Sequence, residues 1–209
     1  MKTNTLLTTL AVVGLAVAAQ ATPVTFDFQQ FGNNVNLGTS KTFSSGSASI
    51  SAYGFASSGG LATDLFAKYT LGDPGETGLG IVSDPTGNTE IWGTTFVQLH
   101  SAIGLPTINI SFGSTTAGEV AEIYYSTTLG VLGTLLTTFT AGGSYDIAAD
   151  KQLGYISLKA GGSTGSGVPN VLLTGATVNT PTAPDGGSTI MLMGAALTAA
   201  GMIRRKLVA

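Results

Sequence analysis

Between residues 24 and 178 apolar side chains recur at every second position in short runs, and no run keeps a helical period over the length of an ordinary helix. A period of two marks a strand with one face in a core, because successive side chains point to opposite sides. Val24-Thr25-Phe26-Asp27-Phe28 opens the series, residues 47–55 continue it with Ala48, Ile50 and Ala52, and 65–71 with Phe66 and Tyr69. Residues 91–99, 107–112, 119–125, 131–139, 152–158 and 170–178 read the same way, and 78–82 reads as a further short strand. Ser57-Ser58-Gly59-Gly60 and the Gly- and Ser-rich stretch 161–167 punctuate them as turns should. Roughly nine or ten short strands at this spacing predict an all-β fold, a single β-sandwich of jelly-roll-like form. No internal repeat of constant period is present, which argues against a solenoid or propeller.

The two ends differ from this body. Met1-Lys2 is a basic start, residues 6–19 are apolar, and Ala19-Gln20-Ala21 places small residues at the two positions a signal peptidase reads. Residues 1–21 are therefore expected to be a secretory signal peptide, with the mature chain beginning at Thr22. At the other end Ala183-Pro184-Asp185-Gly186-Gly187-Ser188-Thr189 leads into an uncharged apolar run, 190–203, closed by Arg204, Arg205 and Lys206. At helical rise the run covers about 21 Å, short of the ~30 Å of a hydrocarbon core. The cations resist crossing, so both ends should stay cytoplasmic while residues 22–182 pass outside.

That body of roughly 160 residues is one ordinary domain, large enough for a real core. Lys41, Lys68, Lys151 and Lys159 stand against ten acidic residues within it, a net charge of −6 where the whole chain carries −3. Such a surface has no electrostatic reason to bind nucleic acid. The chain has no cysteine, which excludes disulfides, thiolate metal sites and thiol catalysis together.

The C-terminal pattern of motif, apolar run and basic stop resembles the PEP-CTERM class of exported bacterial proteins. The match is to the variant whose motif reads Val-Pro-Asp-Ser-Gly or Val-Pro-Asp-Gly-Gly. Pro184, Asp185, Gly186 and Gly187 match, and Ala183 stands where Val is usual. The resemblance covers residues 183–209 and implies recognition by an exosortase that cleaves near the Pro-containing motif. It also implies transient anchoring in the inner membrane by a C-terminal hydrophobic sorting helix, and a final place at the cell surface or in an exopolysaccharide or biofilm matrix. Gly78-Leu79-Gly80-Ile81 followed by Asn88-Thr89-Glu90-Ile91 is similar to a strand pattern in the bodies of that class, which implies a β-sandwich. The function implied is that of a non-enzymatic surface or extracellular-matrix protein.

The body carries its own candidates for chemistry. Asp73, Glu76, Asp84, Asn88 and Glu90 are hard oxygen ligands on two turns flanking residues 78–82, the kind of set that a calcium ion needs. Their spacing fits no EF-hand, and Asp-Pro-Gly and Asp-Pro-Thr-Gly also read as solvated turns, which leaves a chain with no cofactor. Gly161-Gly162-Ser163-Thr164-Gly165 has the form of a nucleophile elbow, with His100, the only histidine, as its base for a secreted hydrolase. The strand and helix that must flank such an elbow are missing from the pattern. Glu119 and Glu122, three apart, point to opposite faces of a strand and cannot pair directly for glycoside hydrolysis, and Asp146 and Asp150 read as loop. Trp92, Phe96, Tyr124, Tyr125 and Tyr155 are the residues on which a carbohydrate-binding module for exopolysaccharide would rely. Ile91 and Trp92 must face opposite ways, as must Tyr124 and Tyr125.

Overall fold

A computed structural model describes residues 22–46, 48–82, 87, 89–102, 107–114, 119–140, 143–162, 169–180, 193–194 and 196–197. The chain divides into Thr22–Thr180 and a second unit made of Met1–Ala21 with Pro181–Ala209. In the second unit Met193, Gly194, Ala196 and Leu197 are helical. No helix among the described residues is long and apolar enough to cross a membrane. The expected leader with Ala19 and Ala21, the motif Pro184, Asp185, Gly186 and Gly187, and the cations Arg204, Arg205 and Lys206 lie outside the described residues.

Thr22–Thr180 is all-β. Its strands among the described residues are β1 (Thr22–Asp27), β2 (Val35–Gly38), β3 (Ser40–Ser45), β4 (Ala48–Phe55), β5 (Leu65–Lys68), β6 (Gly78–Ile81) and β7 (Ile91–Trp92). They continue with β8 (Phe96–His100), β9 (Thr107–Gly113), β10 (Glu119–Ser126), β11 (Thr134–Phe139), β12 (Gly143–Asp146), β13 (Tyr155–Gly162) and β14 (Asn170–Thr180). Two 3₁₀ turns, Pro74–Glu76 and Ala149–Lys151, interrupt them. One sheet runs β12-β9-β14-β6-β5-β2, with β1 and β7 also paired to β14, and the other runs β11-β10-β13-β8-β4-β3. Neighbouring strands pair antiparallel. The first strand lies on the last, with Thr22 opposite Thr180.

Alternation puts the expected residues inside. Ala48, Ile50 and Ala52 of β4 are buried while Ser49 is exposed, and β10 buries Ala121 and Ile123 between the half-buried Val120, Glu122 and Tyr124. One core draws on strands of both sheets: Phe26, Phe43, Ile50, Leu65, Leu79, Ile81, Val97, Leu99, Ile110, Ile123, Ile156, Leu158, Val171 and Leu173. Each such side chain contributes about 1.5–3 kcal/mol by leaving water. Phe28 and Phe43 meet edge to face at 4.7 Å, the arrangement that ring quadrupoles favour.

Several strands differ from the sequence expectation, each for a local reason. The run 91–99 is two strands, because Thr95 closes a turn on Trp92: its N–H donates to the Trp92 carbonyl at 2.7 Å, and its Oγ1 accepts from the Trp92 N–H at 2.9 Å. The run 65–71 ends at Lys68, since the next two N–H groups bond to side chains, Tyr69 to Asn34 Oδ1 and Thr70 to Thr77 Oγ1. Strand β11 starts at Thr134, after Gly133 turns the chain at φ +79. Strands β2, β3 and β12 were not expected. Strand β3 buries only Phe43 of its six residues and so carries no alternation to read.

Candidate functional site

The ion pair with the most deeply buried carboxylate among the described residues lies beside β6. Leu79 and Ile81 of this strand enter the core, which leaves Gly78 and Gly80 on its other face. There the chain returns across the sheet: a β-carbon on Gly80 would clash with the Thr89 carbonyl oxygen and lie 2.8 Å from Glu90 Cα. The glycine thus lets Thr89 and Glu90 press onto the strand. Lys68 is in register with Gly78 on the neighbouring β5, on the same face. Its ammonium bonds to Glu76 Oε2 at 2.8 Å and to Glu90 Oε1. Ser114, at the end of β9, donates from Oγ to the same Glu90 oxygen at 2.9 Å. The turn bearing Glu76 is seated against β9, where a side chain on Gly113 would run into the Gly75 carbonyl.

The electrostatics follow burial and partner. The Glu90 side chain is only 3% exposed, and that burial holds its carboxyl above the usual range although Lys68 and Ser114 pull it down. Burial also opposes ionisation of Glu76, but hydrogen bonds from Lys68 and Ser114 outweigh it and leave that carboxyl below its usual range. For Lys68 burial again acts against the charge; its bonds to Glu76 and Glu90 prevail and raise it above the ordinary value. Of the five oxygen ligands expected for calcium, the structure brings Glu76 and Glu90 together, with the Lys68 ammonium between them in the place a cation would take. Asp73 is elsewhere, accepting from the Gly75 N–H at 3.0 Å as cap of the 3₁₀ turn. Asp84 and Asn88 lie outside the described residues. Among the described residues no three His, Asp or Glu side chains converge to hold a metal.

An open cavity of about 280 Å³ lies next to this turn, lined by Gln29, Tyr69, Thr70, Gly72, Asp73, Pro74 and Thr77. Gln29 Nε2 bridges the turn, donating to the carbonyls of Pro74 and Thr77. Asp73, already engaged, is the one carboxylate in that lining, and Tyr69 is its other ionisable side chain.

The remaining candidates are dispersed. Glu119 is buried and accepts from the Asn170 N–H at 3.0 Å, whereas Glu122 faces the other way and bonds to Lys159 Nζ at 3.0 Å and Tyr124 Oη at 2.8 Å. Burial and the Glu122 carboxylate push the Tyr124 phenol up to about 12. Asp146 ends β12, and Asp150 is exposed and paired with its neighbour Lys151. The His100 ring lies tilted at 31° to that of Tyr155 with centroids 4.8 Å apart, and Ser163 lies outside the described residues. Of the five aromatics, Phe96 is fully buried against Phe55, Trp92 and Tyr155 are half-buried, and Tyr125 packs against the core. They do not form one exposed platform.

Sequence reasoning missed a buried polar hub on the second sheet. Gln98 is inaccessible to solvent, accepts from the Gly130 N–H at 2.8 Å, and donates to the Val131 carbonyl and Ser157 Oγ, both at 3.1 Å. It ties down the loop 127–133, which bonds in turn to the loop 57–61 through Gly59 and Ser58. Gln98→Leu strands the buried Gly130 N–H and Ser157 hydroxyl and frees the part-buried Val131 carbonyl, so a loss of about 2–3 kcal/mol is expected. The check is a urea midpoint together with faster protease cleavage within 127–133; unchanged values for both would show that the hub is idle.

No family model matches the chain, and no curated protein or solved structure is significantly similar to it.

Proposed function

We propose that this chain is an exported bacterial surface or extracellular-matrix protein without enzymatic activity, sorted by an exosortase through its C-terminal segment. The observation that carries the reading is the order of three features at the C-terminus: Pro184-Asp185-Gly186-Gly187, the uncharged run 190–203, and Arg204, Arg205 and Lys206. The fold is compatible with such handling. The compact unit Thr22–Thr180 starts one residue after the expected signal-peptidase site and ends before the motif. Its first and last strands pair with each other, so its core needs neither terminal segment. The sharing of one core by both sheets supports a β-sandwich of jelly-roll-like form as the body.

Mass spectrometry of the protein recovered from its native host tests the proposal. The expected mature species begins at Thr22 and lacks the segment beyond the Pro184–Gly187 motif. Recovery of a chain intact through Ala209 from the cell surface or the matrix would sink the exosortase reading.

A further inference from the structure

Strand β11 ends one sheet, and none of the described residues pairs with its outer edge. Natural proteins blunt such an edge with lysine, proline, an inward charge or a very short strand. The edge β3 of the same sheet carries Lys41, which is exposed; in the other sheet β12 ends on Asp146 and β2 is four residues long. Strand β11 reads Thr-Leu-Leu-Thr-Thr-Phe, six residues with no charge and no proline. Its one blunting device is the bulge that skips Leu136 in the register with β10 and lets that side chain pack against the core. Leu135, paired with Tyr124, remains 48% exposed.

The neutrality extends beyond the strand. No charged residue occurs between Ile123 and Tyr145, nor in 56–63. Those two stretches include the interlocked loops 127–133 and 57–61, which leave Leu61, Leu129 and Val131 exposed. All this lies on a body of net charge −6, two copies of which repel except where a surface carries no charge.

We infer that β11 is a self-association edge, pairing antiparallel with β11 of a second copy about a two-fold axis. Such pairing satisfies the unpaired N–H and C=O groups of both strands and extends the six-stranded sheet to twelve strands across the two copies. A six-residue ladder is about 20 Å long and falls below the ~1,200 Å² of a stable interface. The contact is therefore weak in dilute solution and becomes effective where the local concentration of copies is high. The inference does not depend on the sorting proposal.

The chain contains no cysteine, so single-cysteine variants of the full chain in detergent micelles report on proximity directly. Leu135→Cys and Leu71→Cys are treated side by side at high protein concentration with a bis-maleimide long enough to span the offset of about 10 Å between the two Leu135 positions of a symmetric ladder, and read on denaturing gels, with circular dichroism to verify the fold. Leu71 is 85% exposed and lies in the turn after β5, away from the edge. The dimer yield at Leu135→Cys should exceed that at Leu71→Cys by about tenfold, and adding Thr138→Lys should return it to the control level, because Leu135 of one copy faces position 138 of the other and a lysine on an edge strand opposes edge-to-edge pairing. Equal yields at both positions, as association through the C-terminal apolar run alone would give, would overturn the inference. So would a Leu135→Cys yield that Thr138→Lys leaves unchanged.

Discussion

Lys68→Met is expected to destabilise the body by about 3 kcal/mol at pH 7, because it leaves the Glu90 carboxylate buried without its cation. For a domain of this size that is a fall in Tm of roughly 6–12 °C. Most of the loss belongs to Glu90, since the Glu76 side chain is 37% exposed and its share is screened. The double variant Lys68→Met, Glu90→Gln removes both charges together and should recover most of the stability. A double variant no more stable than the single one would show that Lys68 acts through its packing and not its charge.

The pH dependence separates the same alternatives. Glu90 has its folded-state pKa raised, so the folded body binds that proton more tightly, and stability falls as pH rises from the ordinary carboxylate range through the folded value. Without Lys68 this loss deepens. Glu76 is lowered in the wild type, so its contribution is present above the ordinary value of 4.5 and disappears as pH falls through the folded value. Both effects make the Lys68→Met penalty full at neutral pH and small once the two carboxyls are protonated. On the alkaline side Lys68 itself is raised, so its contribution is complete below 10.5 and is lost as pH rises through the folded value, where variant and wild type converge. Denaturant midpoints measured at pH 3.5, 7 and 11.5 check all three limbs; a penalty equal at every pH would exclude the electrostatic account.

The fold was legible where one face of a strand is buried and the other is not. The inward set of β4 and the opposed placing of Glu119 and Glu122 follow from period two, because the backbone imposes that period directly; the Gly-rich stretch expected to turn at 161 instead continues β13 through Gly162. Strand β3 was not legible, since its single buried residue leaves nothing to alternate. Asp73, Glu76 and Glu90 were recognised as oxygen donors close in sequence, yet their partner was hidden. Lys68 is assigned to Glu76 and Glu90 by the pairing of β5 with β6, a register that sequence spacing does not encode. Gln98 shows the same limit from another side. It occupies an outward slot between Val97 and Leu99, as alternation requires, but loops from elsewhere cover it and turn a solvent-facing position into a buried hub.

Gly80 is where pattern and packing meet, and Gly80→Ala is expected to cost about 3 kcal/mol. The added methyl would clash with the Thr89 carbonyl oxygen and crowd Glu90 Cα. Both are backbone atoms, with no side chain to swing aside, so Thr89 and Glu90 must lift away from β6. Lifting them draws Glu90 from Lys68 and Ser114, which adds electrostatic loss to steric strain. Gly32→Ala is the matched control. A β-carbon there meets nothing within 4 Å, and its φ is not in the positive range, so it should be neutral or stabilise by about 0.4–1 kcal/mol through the unfolded chain. Because the Gly80 and Lys68 substitutions disturb the same Glu90 seat, their effects should add to less than their sum. Thermal melts of the two single variants and the combination measure this. Full additivity would mean that the glycine strand and the charge cluster are separate devices, and that Gly80 is small only to fit its own strand.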